Sequence, residues 1–125
     1  MTNQELIKLS ESAREMAYAP YSDFRVGAAL LCEDGSVFTG CNIENATYGA
    51  TICAERCALS KAVSEGKRHF VKIAITSDSN NFTMPCGICR QVLHEFMPDG
   101  EVIVSKGDEI ASYSIKELIP HCFEL

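Results

Sequence analysis

The stretches Cys53-Ala54-Glu55 and Pro85-Cys86-Gly87-Ile88-Cys89 decide how the rest of this 125-residue sequence is interpreted. Cys86 and Cys89 are separated by two intervening residues, the spacing at which neighbouring thiolates at the start of a helix bind one Zn²⁺ ion. Cys53 lies far away in sequence, so the fold must bring it to the other two. Three protein ligands leave one position of a tetrahedral ion open for water, as in catalytic zinc sites, whereas structural zinc has four protein ligands. We therefore predict a catalytic site with one zinc ion per chain.

Glu55 follows Cys53 by two residues, at a predicted helix start. A glutamate close to zinc-bound water can take its proton and deliver it to a substrate nitrogen. Acidic residues in the first turn of a helix are also common without any catalytic role. Beside three cysteines at ligand spacing, the catalytic interpretation is favoured.

Two arginines follow these motif residues, and three thiolates on one zinc ion carry an excess negative charge. Arg56 and Arg90 are both candidates to offset that charge by hydrogen bonding to sulfur, and we predict that Arg56 does so. Cys57 shares a helix face with Cys53, and as a fourth ligand it would close the site. It lies one turn deeper in the helix, so we expect it to remain outside the metal site.

The remaining cysteines and the histidines are expected to have ordinary structural roles. Small buried hydrophobic side chains are the expectation for Cys32, Cys41 and Cys122. The three histidines, His69, His94 and His121, are expected to be surface or packing residues rather than ligands.

Composition restricts the classes of function that need to be considered. The chain has a formal net charge of −6, which argues against a nucleic-acid partner because such proteins carry a basic surface. Apolar runs are too short for a membrane span, and residues 1–5 lack the features of a signal peptide. The hydrophobic content of 46% suits a single globular domain over residues 1–125. We expect a cytoplasmic protein with no membrane partner.

Hydrophobic periodicity and turn signals predict the element order α-β-β-α-β-α-β-β-α. The expected helices cover about 2–18, 53–65 and 86–96, with a short fourth helix opened by the capping box of Ser114 and Glu117. The expected strands cover 24–32, 37–42, 71–77, 101–105 and about 110–113. The first two strands form a hairpin, and the helices between later strands imply parallel crossovers. The prediction is an α/β fold, a three-layer α-β-α sandwich with a mixed five-stranded sheet.

The two opening stretches, together with several others in the same order, resemble the small homotetrameric zinc-dependent cytidine deaminases. The further matching stretches are Tyr18-Ala19-Pro20-Tyr21-Ser22, Phe24-Arg25-Val26-Gly27-Ala28-Ala29, Gly40-Cys41-Asn42-Ile43-Glu44-Asn45 and residues 86–92. The resemblance extends from the first helix to Phe123. It implies hydrolytic deamination of cytidine and 2′-deoxycytidine to uridine and 2′-deoxyuridine.

The resemblance also implies a role for each matching residue. Zinc would be held by Cys53, Cys86 and Cys89, and Glu55 would be the proton shuttle. Asn42 and Glu44 would bind the ribose 3′-hydroxyl, Phe24 would pack on the pyrimidine, and the backbone of Ala54 would contact the base edge. Phe123 would close the pocket of a neighbouring subunit, which implies a homotetramer. The alternatives are a core residue for Phe24 and an ordinary C-terminal anchor for Phe123.

Two other functions are compatible with the same motif. A deaminase for a cytosine-containing antibiotic such as blasticidin S is the nearer alternative, although Asn42 and Glu44 suit a ribose hydroxyl better. A zinc-stabilised binding module without turnover is the more distant one. A nucleotide substrate is disfavoured, because the loops at 43–51 and 78–85 contain no basic residue to meet a phosphate.

Overall fold

The computed structural model describes residues 1–125 and contains the predicted order of strands and helices. The elements are α1 (Asn3–Arg14), β1 (Val26–Cys32), β2 (Val37–Cys41), α2 (Ala54–Ser64), β3 (Phe70–Ser77), α3 (Gly87–Phe96), β4 (Glu101–Lys106), β5 (Glu109–Ser114) and α4 (Ile115–Leu118). A single 3₁₀ turn, Tyr48–Ala50, lies between β2 and α2. No helix combines the length and the apolar character that crossing a membrane would require.

The five strands form one mixed sheet in the order β2-β1-β3-β4-β5. β3 and β4 are parallel, and all the other neighbouring pairs are antiparallel. Because β2 and β3 are both antiparallel to β1, they run in the same direction, and α2 connects them across β1. The helices α2 and α3 therefore both begin beyond the carboxyl ends of strands that point the same way. Ligand sites in α/β sheets are commonly found at this edge.

The alternation of side chains along the strands divides the core between the two faces of the sheet. On one face α1 packs against a small cluster: Leu6, Ile7, Ala29, Ala74 and Ile103. On the other face α2, α3 and α4 cover a larger cluster that includes Ala28, Leu30, Ile73, Ile75, Val102 and Val104. The predicted α/β fold with a mixed five-stranded sheet between helices is confirmed.

The first helix is shorter than predicted: it ends at Arg14, whereas the sequence pattern indicated an end near Tyr18. The Tyr18 N–H donates to the Asn42 carbonyl, and the Tyr18 carbonyl accepts from the Glu44 N–H, so this residue pairs with the chain beyond β2. β1 also begins later than predicted, at Val26. The Asn42 side chain bonds to the Phe24 carbonyl and the Val26 N–H, which fixes the segment ahead of the strand.

Gly40 allows the start of α2 to lie directly on β2. A Cβ atom at this position would lie 2.5 Å from the Ala58 nitrogen and 2.6 Å from the Ala54 carbonyl oxygen, so no larger residue fits without a backbone shift. This close approach places the first turn of α2 beside Asn42, the residue that follows β2.

Candidate active site

Three cysteines meet where α2 and α3 begin. Cys53 is the N-cap of α2, Cys86 is the N-cap of α3, and Cys89 lies in the first turn of α3. The Cys53 and Cys86 sulfurs are 3.9 Å apart, and all three Sγ atoms lie within 4.8 Å of one another. The fold thus brings the distant Cys53 to the other two cysteines.

The arrangement of sulfurs fits a zinc ion. Zn–S bonds of about 2.3 Å at tetrahedral angles separate two sulfurs by about 3.8 Å, close to the observed distance between Cys53 and Cys86. Cys57 does not belong to this group of sulfurs. Three sulfurs leave one position of a tetrahedral ion for another ligand.

The surroundings favour a thiolate at Cys53. A hydrogen bond with Cys89 lowers the pKa of Cys53 to about 5 against the opposing effect of burial, and a hydrogen bond from Arg56 adds to the decrease. The shared hydrogen bond and burial raise the pKa of Cys89. The pKa of Cys53 is therefore lowered and that of its neighbour Cys89 is raised.

Glu55 is the one carboxylate among the buried polar side chains, with 5% of its surface exposed. Burial raises its pKa to about 7, and the nearby negative charge of Cys53 acts in the same direction. A carboxyl group with this pKa exchanges protons readily near neutral pH, as a general acid and base must.

The two candidate arginines have different partners. Arg56 Nη2 donates to the Cys53 sulfur at 3.5 Å, so its positive charge lies beside this sulfur. Arg90 instead donates to the Pro85 carbonyl at 2.8 Å and to the Leu118 carbonyl at 2.9 Å. Arg90 therefore ties α4 to the segment preceding Cys86 and makes no hydrogen bond to sulfur.

A cavity of about 260 Å³ lies beside the cysteines and Glu55. Its walls include Cys53, Cys86, Glu55 and four other residues singled out in the sequence: Phe24, Asn42, Glu44 and Ala54. Phe123 is not among the lining residues and is 68% exposed. A larger depression of about 610 Å³, lined by Cys32, Asp34 and Lys67 among others, lies at the other end of β1 and contains none of these groups.

Asn42 and Glu44 are already hydrogen-bonded within the chain. The amide of Asn42 bonds to backbone groups of Phe24 and Val26 at 2.8 Å each. The carboxylate of Glu44 accepts from the N–H groups of Tyr21 and Ser22 and from the Ser22 hydroxyl, and these bonds lower its pKa. Both side chains are thus held in fixed positions on the cavity wall.

Some lining residues were not predicted from the sequence. Thr83 and Met84 come from the loop before α3, while Thr51 and Ile52 precede Cys53. None of them belongs to a charged or metal-binding pattern, so nothing in the sequence marks them as site residues. Ser22 belongs to one of the stretches that resemble the family, but only the folded structure shows its contact with Glu44.

Comparisons with known proteins point to one family. The family model for the cytidine and deoxycytidylate deaminase zinc-binding region matches residues 1–106. A cytidine deaminase of Halalkalibacterium halodurans is 53% identical over 98% of this chain and 95% of its own length. The crystal structure of a cytidine deaminase from Burkholderia pseudomallei superimposes with a TM-score of 0.95 at 46% identity, over 98% of this chain and 100% of that one. A more distant relative is a blasticidin-S deaminase of Bacillus cereus, which is 32% identical over 94% of this chain and 91% of its own length.

The matches and the convergence of three sulfurs and a buried carboxylate agree with each other. This chain belongs to the cytidine and deoxycytidylate deaminase family.

Proposed function

We propose that this protein deaminates cytidine and 2′-deoxycytidine by hydrolysis, releasing ammonia and forming uridine and 2′-deoxyuridine. The observation that carries the proposal is the buried Glu55, whose pKa is raised to about 7, on the wall of a cavity shared with Cys53 and Cys86. Two relatives that are 53% and 49% identical to this chain bear the name cytidine deaminase, and they support the same reaction.

Cys53, Cys86 and Cys89 are proposed to hold one zinc ion. The chemistry that zinc supplies when bound is the production of a water-derived nucleophile at neutral pH. Arg56 offsets the charge of the thiolates, so that the site remains electrophilic.

Glu55 is proposed to carry the protons of the reaction. As a carboxylate it accepts a proton from the attacking water and delivers it to N3 of the pyrimidine, so that no negative charge accumulates on the ring. It then takes the remaining proton of the added water from the hydroxyl now attached to C4 and passes it to the amino group. The C4–N bond breaks, the C4 carbonyl forms, and the amino group leaves as ammonia. Burial keeps bulk water away from the carboxyl group and holds its pKa in the range needed for both steps.

The cavity walls suggest how a nucleoside is oriented. Phe24 is proposed to pack against the pyrimidine ring, and the Ala54 backbone to contact its edge. The fixed side chains of Asn42 and Glu44 are proposed to bind the ribose 3′-hydroxyl, with the second N–H of Asn42 and the carboxylate oxygens of Glu44 as the available groups.

A homotetramer is proposed in which Phe123 closes the cavity of a neighbouring subunit. The exposure of Phe123 and the cavity volume of about 260 Å³ support this. Ligand sites usually occupy about 300–1,000 Å³, so a wall supplied by another chain would complete this one.

The decisive experiment measures the ultraviolet absorbance of cytidine with purified protein, with the zinc content determined on the same sample. We expect loss of the cytidine band and about one zinc ion in the three-cysteine site of each chain. Glu55→Gln should lose turnover by about 10³-fold or more and keep its zinc, because general acid–base steps are worth about 10²–10⁴ each. Retained turnover in Glu55→Gln would overturn the mechanism.

A blasticidin S-type deaminase is the alternative favoured by one relative, at 32% identity. Blasticidin S should then be consumed faster than cytidine by the same sample. A zinc-stabilised binding module would consume neither and would be indifferent to Glu55→Gln.

A further inference from the structure

A second group of metal-binding side chains lies at the other end of α3. His94, in the last turn of α3, meets Cys122 and Glu124 from the C-terminal segment. The His94 Nε2 atom is 3.0 Å from the Cys122 sulfur and 3.6 Å from a Glu124 carboxylate oxygen. All three potential ligand atoms lie within 4.8 Å of one another.

The surrounding backbone brings the two ends of this group together. His121 has a φ of 54°, in the left-handed region, and this turns the chain after Pro120. The Gln91 side chain then donates to the Phe123 carbonyl at 2.9 Å and holds the segment on α3. Cys122 and Glu124, on either side of Phe123, both reach the same imidazole nitrogen.

The imidazole of His94 is largely buried, with its side chain 13% exposed. Its Nδ1 atom has no hydrogen-bond partner, so Nε2 makes all of its polar contacts. One nitrogen thus faces both a sulfur and a carboxylate oxygen, and a cation placed between these three atoms would contact all of them. A cavity of about 220 Å³, whose walls include His94, Glu95 and Glu124, lies beside this group.

The donor set indicates the class of ion. One imidazole, one thiolate and one carboxylate suit a borderline divalent transition metal and do not suit Mg²⁺ or Ca²⁺, which prefer oxygen. Zn–N and Zn–S bonds of about 2.0 and 2.3 Å at a tetrahedral angle separate nitrogen from sulfur by about 3.5 Å. Reaching that distance from 3.0 Å requires a small outward movement of Cys122, which lies in a segment without helix or strand.

We propose that His94, Cys122 and Glu124 form a second zinc site, separate from the three-cysteine group. This role differs from the packing roles that the sequence suggested for His94 and Cys122. Zinc here fastens the C-terminal segment, and Phe123 within it, to the end of the helix whose start carries Cys86 and Cys89. The site does not depend on the proposed deaminase activity.

Metal content tests the site directly. The full-length protein is equilibrated with Zn²⁺ in a metal buffer, freed of excess, and analysed for zinc per chain. We expect about two zinc ions in the unmodified protein and about one in Cys122→Ser and in His94→Gln. Glu124→Gln should retain the second ion with an affinity lowered by about 10-fold or more. The matched controls are Glu95→Gln, which removes a carboxylate from the same cavity, and Cys41→Ser, which removes a half-buried thiol elsewhere; both should bind two.

A second measurement follows the alkylation of the Cys122 thiol. Added Zn²⁺ should protect Cys122 from alkylation in the unmodified protein, and His94→Gln should abolish that protection. One zinc ion per chain in both the unmodified protein and Cys122→Ser, with Cys122 alkylated equally with and without zinc, would overturn the proposal. The His94–Cys122 contact would then be a hydrogen bond only.

Discussion

The two ends of α3 carry groups of the same general kind in different electrostatic settings. At its start, three sulfurs lie beside a buried carboxyl group and an arginine that donates to sulfur. At its end, a histidine, a cysteine and a 75% exposed glutamate meet without an arginine or lysine bonded to them. Binding a metal requires only converging ligands, whereas catalysis also requires a proton carrier and control of charge. The first group therefore has the features that the proposed deamination needs, whereas the second has those needed to fasten the C-terminal segment as proposed.

The largest effect is expected from breaking the first group. Cys86→Ser removes one of three sulfurs and should lower cytidine turnover by about 10³-fold or more, because the nucleophile depends on the metal. Zinc analysis of the same sample should show loss of the ion at the start of α3. Cys41→Ser, outside both groups, should keep the turnover of the unmodified protein. Full turnover in Cys86→Ser would show that the cysteine group is not the reactive centre.

The next effect concerns the cost of burying Glu55. Its pKa is about 7 in the fold against an ordinary value of 4.5, so the folded state holds this proton more tightly than the unfolded state. Below about pH 4.5 the carboxyl group is protonated in both states and costs nothing. Above about pH 7 it is ionised in both, and the fold bears a penalty of about 3 kcal/mol.

Glu55→Gln should accordingly raise the free energy of unfolding of the zinc-stripped protein by about 3 kcal/mol at pH 8. The gain should disappear as the pH falls towards 4.5, as urea titrations at several pH values would reveal. Bound zinc should reduce the gain, since a nearby cation favours the carboxylate. A gain that does not change with pH would mean that the buried charge is not its cause.

Substitution of Arg56 or Arg90 provides a matched pair of variants, and we expect each to have a smaller effect than the substitutions above. Arg56→Gln removes the positive charge from Cys53 and should lower zinc affinity or kcat by about 10–100-fold. Arg90→Gln removes hydrogen bonds to two carbonyls and should mainly lower the free energy of unfolding, by about 1–3 kcal/mol. Zinc titration and urea unfolding of both variants test this division. Equal loss of zinc affinity in both would contradict it.

The contrast between the two ends of α3 also explains what the sequence could predict. The first group was predictable because Cys86 and Cys89 have a short ligand spacing and Cys53 stands at the start of a helical pattern. That pattern ends at a glycine, Gly66, which has a φ of 93°. Local patterns set the element order as well, and the capping box of Ser114 and Glu117 is present as expected.

The remaining features depend on contacts between distant parts of the chain. The first helix ends early because Tyr18 pairs with the chain around Asn42 and Glu44, and no local signal in residues 15–18 indicates this. The approach of Cys122 to His94 likewise depends on the left-handed backbone conformation of His121, which a histidine in the sequence does not predict. Arg90 was a candidate to donate a hydrogen bond to a sulfur because of its position in the sequence. Only the packing of α4 shows that it donates to the Leu118 carbonyl instead.

The smallest effect should come from the hydrogen bond that holds the second group in place. Gln91 donates to the Phe123 carbonyl on an exposed surface, where a hydrogen bond contributes about 1 kcal/mol. Gln91→Met keeps the length of the side chain and removes the donor, so the C-terminal segment must be ordered by the metal alone. The affinity for the second zinc ion should fall by about 5-fold, the equivalent of that energy, while the first ion is retained.

Gln4→Met, on the exposed surface of α1, is the matched control and should leave both ions unaffected. Competition titration with a chelator separates the two affinities, and an unchanged second affinity in Gln91→Met would mean that Cys122 and Glu124 are positioned without help from α3.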